Sequence, residues 1–145
     1  MIFSSCKTWG DAPDFEFYDK DEGSYMLSDF YGKPIVLNFW ASWCGPCVNE
    51  MPSLQKAYEE YGNEVEFIIV NLTGWEQDST DGKYYISYKG YTFPAYYDLK
   101  GTASQIYGFD SIPQTFFIDK EGNIASRHVG TISYSRLESE IEKIK

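Results

Sequence analysis

The length of 145 residues predicts a single domain that can bury one hydrophobic core without disulfide crosslinks. The formal net charge of −10 argues against a nucleic-acid-binding surface, which needs clustered Lys and Arg, and gives no support to binding of an anionic membrane. No apolar stretch reaches the roughly 18 residues of a membrane-spanning helix, and no export signal is visible at the start of the chain. We expect residues 1–13 to form an extension and residues 14–145 to form the domain.

The predicted elements alternate between strands and helices. In chain order, strands are predicted at 14–19, 35–40, 64–72, 93–98, 114–119 and 124–130, and helices at 44–61, 83–89, 102–109 and 133–145. The run at 35–40 is apolar except for Asn38, which is typical of a central strand covered on both faces. The last two strands form a hairpin, so the alternation predicts an α/β fold with a mixed sheet. Residues 73–82 are polar and are expected to form a long loop.

Two cysteines separated by Gly and Pro follow the central strand. Cys44 falls at the start of the predicted helix, where unpaired backbone N–H groups and the helix dipole stabilise a thiolate. Cys47 lies one turn further on, where it can attack a mixed disulfide formed at Cys44. A Cys-X-X-Cys pair beside a strand–helix unit is typical of a redox couple. We therefore assign Cys44 as the nucleophile and Cys47 as the resolving cysteine, with Trp43 beside the sulfur on the partner-facing surface.

The segment IVLNFWASWCGPCVNEMP at 35–52 resembles the TlpA/ResA-like branch of the thioredoxin superfamily. Further motifs, among them APDFEFYD at 12–19 and YGFDSIPQTFFIDKEGNI at 107–124, extend the resemblance over roughly residues 12–145. The resemblance implies a thioredoxin fold, with a central mixed β-sheet flanked by helices, an N-terminal β-hairpin and an internal insertion. It also implies thiol–disulfide exchange on the outer side of a bacterial membrane, with a cytoplasmic location as the alternative. No cofactor is expected beyond the redox-active Cys44–Cys47 disulfide.

The resemblance also assigns supporting roles around the cysteines. Pro113 matches the cis-proline of the superfamily, and a cis bond would leave the backbone of Ile112 exposed to pair with an incoming chain. Trp43, Gly45 and Pro46 complete the motif WCGPC. The Gly-Pro dipeptide and Ile112 resemble thioredoxin more than the oxidising branches. Thioredoxin has a potential of about −270 mV, against about −120 mV for DsbA, so this likeness favours a reductant.

Three residues bear on proton transfer. Asn38 stands where thioredoxin carries a buried acid, and an amide cannot act as a general acid or base. Some TlpA-like proteins use a Glu from the loop after the next strand, which makes Glu76 the candidate proton relay here, with a solvated loop charge as the alternative. Glu50 lies near Cys47 in sequence and is expected to be a charge on the helix face.

Several residues outside the motif can be interpreted as either structural or functional. Core packing is expected for a set of six tyrosines, with a partner-docking surface as the alternative: Tyr84, Tyr85, Tyr88, Tyr91, Tyr96 and Tyr97. A tetrahedral zinc site would need Cys6 and His128, which are remote in sequence, so no metal is expected. His128 is a lone strand histidine, from which no chemistry is expected. Cys6 is expected to be a free thiol, with a lipid-modified cysteine as the alternative. Thioredoxin-fold peroxidases typically carry Thr three residues before the reactive cysteine. This chain has Ala41 at that position, so a peroxidase is not expected.

These observations predict a thiol–disulfide oxidoreductase that exchanges disulfides with partner proteins in the reducing direction. A disulfide oxidase or isomerase with the same cysteine pair is one alternative, and a non-catalytic binding module is another. The expected partners are protein disulfide and dithiol substrates and a reducing donor such as a membrane thiol transporter. A monomer is expected, and no nucleic acid.

Overall fold

The computed structural model describes residues 10–145. Cys6 and most of the predicted extension therefore lie outside the described residues. Within residues 10–145 the chain forms seven strands: β1 (Glu16–Tyr18), β2 (Ser24–Met26), β3 (Ile35–Trp40), β4 (Glu66–Asn71), β5 (Ala95–Tyr97), β6 (Gln114–Ile118) and β7 (Ile124–Val129). The same residues form four α-helices: α1 (Gly45–Tyr61), α2 (Asp81–Lys89), α3 (Ala103–Tyr107) and α4 (Tyr134–Ile144).

The seven strands form one mixed sheet in the order β2-β1-β5-β4-β3-β6-β7. Strand β3 lies inside it, parallel to β4 and antiparallel to β6. All six residues of β3 are buried, as the apolar run predicts. The antiparallel β1–β2 pair joins the sheet through β5, which confirms the N-terminal hairpin and the mixed α/β fold. No helix of the described part of the chain is both long and apolar enough to cross a lipid bilayer.

Alternate residues of β3 serve two apolar layers, because successive side chains of a strand point to opposite faces. Val36 and Trp40 pack into the layer that contains the buried sides of α1 and α4. Leu37 and Phe39 pack into the layer that contains α3 and Phe17 of β1. Asn38 faces the α1 side, so that the polar residue of the strand lies beneath the helix that begins at the cysteines.

The segment at 73–82, expected to be a loop throughout, is partly helical. A short 3₁₀ turn spans Thr73–Trp75, and α2 begins at Asp81. The first turn of α2 packs closely on β4, since a Cβ atom added at Gly82 would lie 2.5 Å from the Asn71 side chain. Only glycine lets the first turn of α2 pack this tightly against the end of β4.

Candidate active site

Cys44 and Cys47 form a disulfide at the start of α1. Cys44 is the N-cap residue, and its Sγ accepts a hydrogen bond of 3.2 Å from the backbone N–H of Cys47. Cys44 is 5% exposed, whereas Cys47 is fully buried. Cys44 is thus the more accessible of the two sulfur-bearing residues, and its assignment as the nucleophile stays a prediction. Gly45 and Pro46 are exposed in the first turn of the helix.

The loop before Cys44 is held by Glu76. Its carboxylate accepts hydrogen bonds of 2.7 Å from both the N–H and the hydroxyl of Ser42, and another of 2.7 Å from the Asn71 amide. Trp43 is 60% exposed, and its indole Nε1 donates to the carbonyl oxygen of Trp75. These contacts place Glu76 as a residue that positions the loop and, through it, Trp43. The relay role of Glu76 stays a prediction.

The loop before β6 completes the site from the opposite side. The Ile112–Pro113 peptide bond is cis, as predicted, and the carbonyl oxygen of Ile112 lies 3.8 Å from the Sγ of Cys44. Buried Gln114 fixes this loop, because its Nε2 donates to the carbonyl oxygen of Ser111. Arg127 in turn donates through Nε to the Gln114 Oε1. The protein backbone thus lies beside the reactive sulfur on a firmly held loop.

Glu50 is buried, so the expectation of a charge on the helix face is wrong. One carboxylate oxygen accepts a hydrogen bond of 2.7 Å from the Asn38 amide, and the other accepts one of 3.2 Å from the N–H of Ile132. Burial raises the pKa of Glu50 to about 8, against the opposing effect of these two hydrogen bonds. Glu50 lies one helical turn beyond Cys47, on the same buried face of α1.

A sequence signal for Glu50 did exist. Cys47, Glu50, Met51 and Leu54 follow the spacing i, i+3, i+4 and i+7, which marks one face of a helix. A carboxyl on the apolar stripe next to a redox cysteine is a candidate for a shifted pKa. The charge of Glu50, taken alone, predicts a side chain exposed to solvent, whereas its position on this stripe predicts burial.

The six tyrosines divide into two groups. Tyr97 is buried, and Tyr85, Tyr91 and Tyr96 are half-buried against the core, which confirms core packing for these four. Tyr84 and Tyr88 are 70% and 74% exposed on α2, with their rings stacked 6.0 Å apart. Core packing is therefore wrong for this pair.

His128 forms contacts with the loop that follows β7, and the structure shows no contact of its ring with the sulfur atoms of Cys44 and Cys47 among the described residues. A ring nitrogen of His128 lies 3.0 Å from the carbonyl oxygen of Thr131, and Thr131 donates its hydroxyl to the carbonyl oxygen of Pro46. Among residues 10–145, no three His, Cys, Asp or Glu side chains are grouped so as to hold a metal ion. The expected lack of a metal and of chemistry at His128 stay predictions.

Comparison with known proteins identifies a family and relatives that this chain resembles. Residues 10–127 match the model of the AhpC/TSA family. The chain is 37% identical over 138 residues to the thiol-disulfide oxidoreductase ResA of Oceanobacillus iheyensis, covering 92% of this chain and 70% of the relative.

Two solved structures extend the likeness to the fold. One, described as thiol:disulfide interchange protein DsbE from Chlorobium tepidum, has a TM-score of 0.84 and 31% identity over 97% of this chain and 99% of its own. The other, the exposed lipoprotein thioredoxin Etrx1 of Streptococcus pneumoniae, has a TM-score of 0.75 and 32% identity over 90% of this chain and 98% of its own.

Proposed function

The chain belongs to the AhpC/TSA family and is a ResA-like thiol-disulfide oxidoreductase, and on that premise we propose that it works as a reductant of disulfides in proteins outside the cytoplasm. The observation that carries the direction is the charge around Cys44. Three loops contact the segment around Cys44, at residues 73–82, 108–113 and 130–132. They contain four carboxylates and no Lys, Arg or His: Glu76, Asp78, Asp81 and Asp110. A thiolate is stabilised by nearby cations, and a strong oxidant such as DsbA owes its potential to a stabilised reduced form.

The surroundings of Cys44 supply little of that stabilisation. The helix start and the N–H of Cys47 favour a negative sulfur, whereas the nearby carboxylates oppose it. Opposition to the thiolate destabilises the reduced form relative to the disulfide. The couple therefore tends to give up its electrons, as thioredoxin does.

In the proposed cycle, the Cys44 thiolate attacks one sulfur of a partner disulfide. A Cys44–partner disulfide forms, the partner S–S bond breaks, and the second partner sulfur leaves as a thiolate. Cys47 then loses its proton and attacks the Cys44 sulfur, which releases the first partner sulfur. The partner gains two electrons, and the Cys44–Cys47 disulfide forms. A low-potential dithiol donor must then reduce that disulfide by the same exchange in reverse.

Glu50 is suited to receive the proton of Cys47. Its pKa of about 8 lies near the range of a cysteine thiol, so either protonation state is accessible at neutral pH. Its position on the buried face of α1, beside the fully buried Cys47, gives the proton a destination in a region closed to bulk water. Asn38, which cannot itself take a proton, orients the Glu50 carboxylate.

The location and partners follow from the same proposal. The likeness to an exposed lipoprotein thioredoxin supports an extracytoplasmic site of action. The substrates are protein disulfides, the donor is a membrane thiol transporter or an equivalent dithiol, and the protein acts as a monomer. It uses no cofactor beyond its own disulfide.

The reduction potential of the Cys44–Cys47 couple tests the direction. The protein with Cys6→Ser is equilibrated in dithiothreitol and glutathione redox buffers, and its thiols are trapped and counted. We expect a value at or below about −250 mV. A value above about −180 mV would assign the protein to the oxidases and isomerases instead. If no disulfide forms at any ratio, the binding-module alternative takes its place.

A further inference from the structure

A cavity of about 760 Å³ lies beside β5, between the turn of the N-terminal hairpin and the segment that joins α2 to β5. We call this cavity the β5 groove, and its lining consists of residues 19–21, 25, 83, 86–87 and 90–97. Neither redox cysteine contributes to it. We propose that the β5 groove binds an extended polypeptide segment of a partner protein, which adds to the sheet as a strand beside Ala95. This binding site goes beyond the disulfide exchange proposed above and does not require it.

Strand β5 has an unpaired edge at Ala95. The N–H of Ile69 in β4 bonds to the carbonyl oxygen of Pro94. Because successive residues of a strand direct their backbone groups to opposite sides, the N–H and C=O of Ala95 point away from β4. Tyr97 is directed to the same side as Ala95 and pairs there with Tyr18 of β1. Among residues 10–145, no hydrogen bond of this kind ends on the N–H or the C=O of Ala95.

The turn after β1 is the reason that this edge is open. One oxygen of the Asp19 carboxylate accepts hydrogen bonds of 2.9 and 2.8 Å from the N–H groups of Asp21 and Gly23. The N–H of Asp19 in turn donates to the carbonyl oxygen of Gly23. These bonds lead the chain into β2 directly after Tyr18, so β1 does not continue along β5 to Ala95.

The residues just before Ala95 have their backbone donors satisfied in another way. The N–H groups of Thr92 and Phe93 both donate to the side-chain oxygen Oε1 of Gln55. Pro94 has no N–H to donate. Ala95 therefore presents one donor and one acceptor on a strand edge, and such an edge is a template for pairing with another extended chain.

Aromatic rings line the β5 groove on both faces of the sheet. On one face, the rings of Tyr96 and Tyr25 meet edge to face, with their centroids 5.5 Å apart. On the other face, the rings of Tyr91 and Phe93 are stacked with their centroids 5.2 Å apart. The three tyrosines are half-buried, so each face leaves part of its ring surface open. Since side chains of an added strand alternate between the two faces, successive side chains of the bound segment meet aromatic surface.

The charges that line the β5 groove balance, because it contains two carboxylates and two ammonium groups. Burial of a further charge there costs desolvation, whereas the open ring surface favours apolar side chains. The cavity volume lies within the range of roughly 300 to 1,000 Å³ that is typical of binding pockets. The segment that fits is therefore uncharged and extended, with aromatic or aliphatic side chains at successive positions.

The test uses the full chain with Cys6→Ser, Cys44→Ser and Cys47→Ser, so that its result does not depend on disulfide exchange. The probe is a hexapeptide of alternating valine and tyrosine between two terminal threonines, blocked at both ends. A second peptide carries N-methyl groups on the four central residues, which removes the backbone donors and keeps the side chains. A third peptide has serine at those four positions, which keeps the donors and removes the apolar side chains.

Binding is followed by NMR titration of the ¹⁵N-labelled protein. For the first peptide we expect a Kd on the order of 100 µM, with the largest shift changes at Ala95 and Tyr96. We expect the N-methylated peptide to bind roughly tenfold more weakly or less, because the hydrogen bond to the Ala95 carbonyl oxygen is lost and the methyl groups obstruct the edge. The serine peptide should also bind roughly tenfold more weakly, because it buries no apolar surface.

Hydrogen exchange at Ala95 tests the open edge directly. In the free protein we expect its N–H to exchange within about tenfold of the rate in an unstructured chain. The saturating first peptide should slow this exchange at least about tenfold. The N–H of Ile69, which bonds to Pro94, should be protected with and without peptide. Protection of the Ala95 N–H in the free protein would show that the edge is already covered, and would overturn the inference.

Two matched tyrosine variants locate the binding site. Tyr91→Ala removes a ring that lines the β5 groove, whereas Tyr84→Ala removes an exposed ring of α2 that does not line it. We expect Tyr91→Ala to weaken binding about fivefold or more, and Tyr84→Ala to leave the Kd within experimental error. If Tyr91→Ala fails to fold, the exchange of the Ala95 N–H decides the question alone.

A third variant, Ala95→Pro, removes only the N–H of the edge. Proline is tolerated on an edge strand where the N–H has no partner, so we expect this variant to keep the cooperative unfolding of the parent and to lose peptide binding. Equal binding of the three peptides would overturn the inference. So would the absence of shift changes at Ala95 up to about 1 mM peptide, which would leave a hydrated edge only.

A separate assay keeps this inference distinct from the proposed function. Reduction of neutral 2-hydroxyethyl disulfide by the Cys6→Ser protein, with both redox cysteines present, reports the reductase. If that disulfide stays oxidised while the first peptide binds, the reductase function fails and the β5 groove stands. If it is reduced while no peptide binds, the β5 groove alone fails.

Discussion

A single buried carboxyl, Glu50, links the redox site to the pH dependence of the fold. Its ordinary pKa is near 4.5, and burial in the folded protein raises it to about 8. The folded state therefore binds the Glu50 proton more tightly than the unfolded state does. Stability from this group is complete below about pH 4.5 and is lost as the pH rises towards 8.

We predict that Glu50→Gln removes this pH dependence. Glutamine carries no charge to desolvate, and the Asn38 amide can turn its unbonded, buried Oδ1 towards the new N–H group. Each unit of pKa shift corresponds to 1.36 kcal/mol, so the variant should gain on the order of 3 to 5 kcal/mol relative to the parent between pH 4.5 and 8. Urea unfolding at pH 5, 6.5 and 8 measures this difference.

Glu140 provides the matched control for Glu50. It is also buried and also a helical Glu, but hydrogen bonds from Ser126 and Arg136 outweigh its burial and hold its pKa below the ordinary value. Its contribution to stability is present at neutral pH and lost only in acid. Glu140→Gln should therefore leave the slope between pH 5 and 8 as it is. A parent protein whose stability is flat across that window would contradict the assigned burial of a neutral Glu50.

At the scale of elements, Glu76 joins the loop before α1 to the end of β4. A relay role and a positioning role for this residue make different predictions. Glutamine can keep the contacts, since its oxygen can accept from the Ser42 N–H and the Asn71 amide while its N–H group donates to the Ser42 hydroxyl. Glutamine cannot carry a proton between groups.

We predict that Glu76→Gln keeps most of the disulfide reductase rate and Glu76→Ala loses it at least tenfold. Alanine leaves the Ser42 N–H without its acceptor, at a cost of about 1 to 3 kcal/mol, and releases the loop that carries Trp43. Hydrogen exchange at Ser42 reports the loop directly and should be fast only in the alanine variant. Equal loss of rate in both variants would restore the relay role. Glu59→Ala, on the exposed side of α1, controls for charge.

The elements that the sequence predicts well are those whose signals are local. The apolar run of β3 and the Gly-Pro start of α1 lie where expected, because continuous burial and the first helical turn each impose a composition on a short segment. The start of α2 was missed because Thr80, Asp81 and Gly82 are typical of loops. The structure adds a tertiary contact of Gly82 with Asn71 at this point, which local propensity cannot predict.

The candidate site shows the same division. The cysteines and the cis-proline follow from a compact motif and its resemblance. Burial of Glu50 depends on Ile132, 82 positions further along the chain, which the topology brings beneath α1. The bonds of Glu76 to Ser42 likewise depend on the parallel pairing of β3 with β4. These roles depend on the order of strands in the sheet, which cannot be predicted from the types of the individual residues.

At the scale of the whole molecule, the direction of electron flow is linked to the difference in stability between the oxidised and the reduced fold. A couple that gives up electrons readily is one whose oxidised form is the more stable of the two folded states. Closing the short loop between Cys44 and Cys47, which are three positions apart, restricts the unfolded chain and favours the oxidised fold by about 2 kcal/mol in the chain-entropy model. A strongly stabilised thiolate in the reduced fold would cancel this advantage, as in DsbA.

We therefore predict that reduction of the disulfide destabilises the protein by roughly 1 to 3 kcal/mol, because the carboxylates in the loops near Cys44 leave its thiolate with little support. Urea unfolding of the Cys6→Ser protein, with and without excess dithiothreitol at pH 7, gives the two midpoints. The doubly substituted Cys44→Ser, Cys47→Ser chain should unfold near the reduced midpoint and be unaffected by dithiothreitol. A reduced form more stable than the oxidised one would mark the protein as an oxidant. This result would not depend on a redox buffer, because folding and reduction form a closed thermodynamic cycle. In that cycle, the difference in unfolding free energy between the two forms sets the potential of the folded couple relative to that of the unfolded chain.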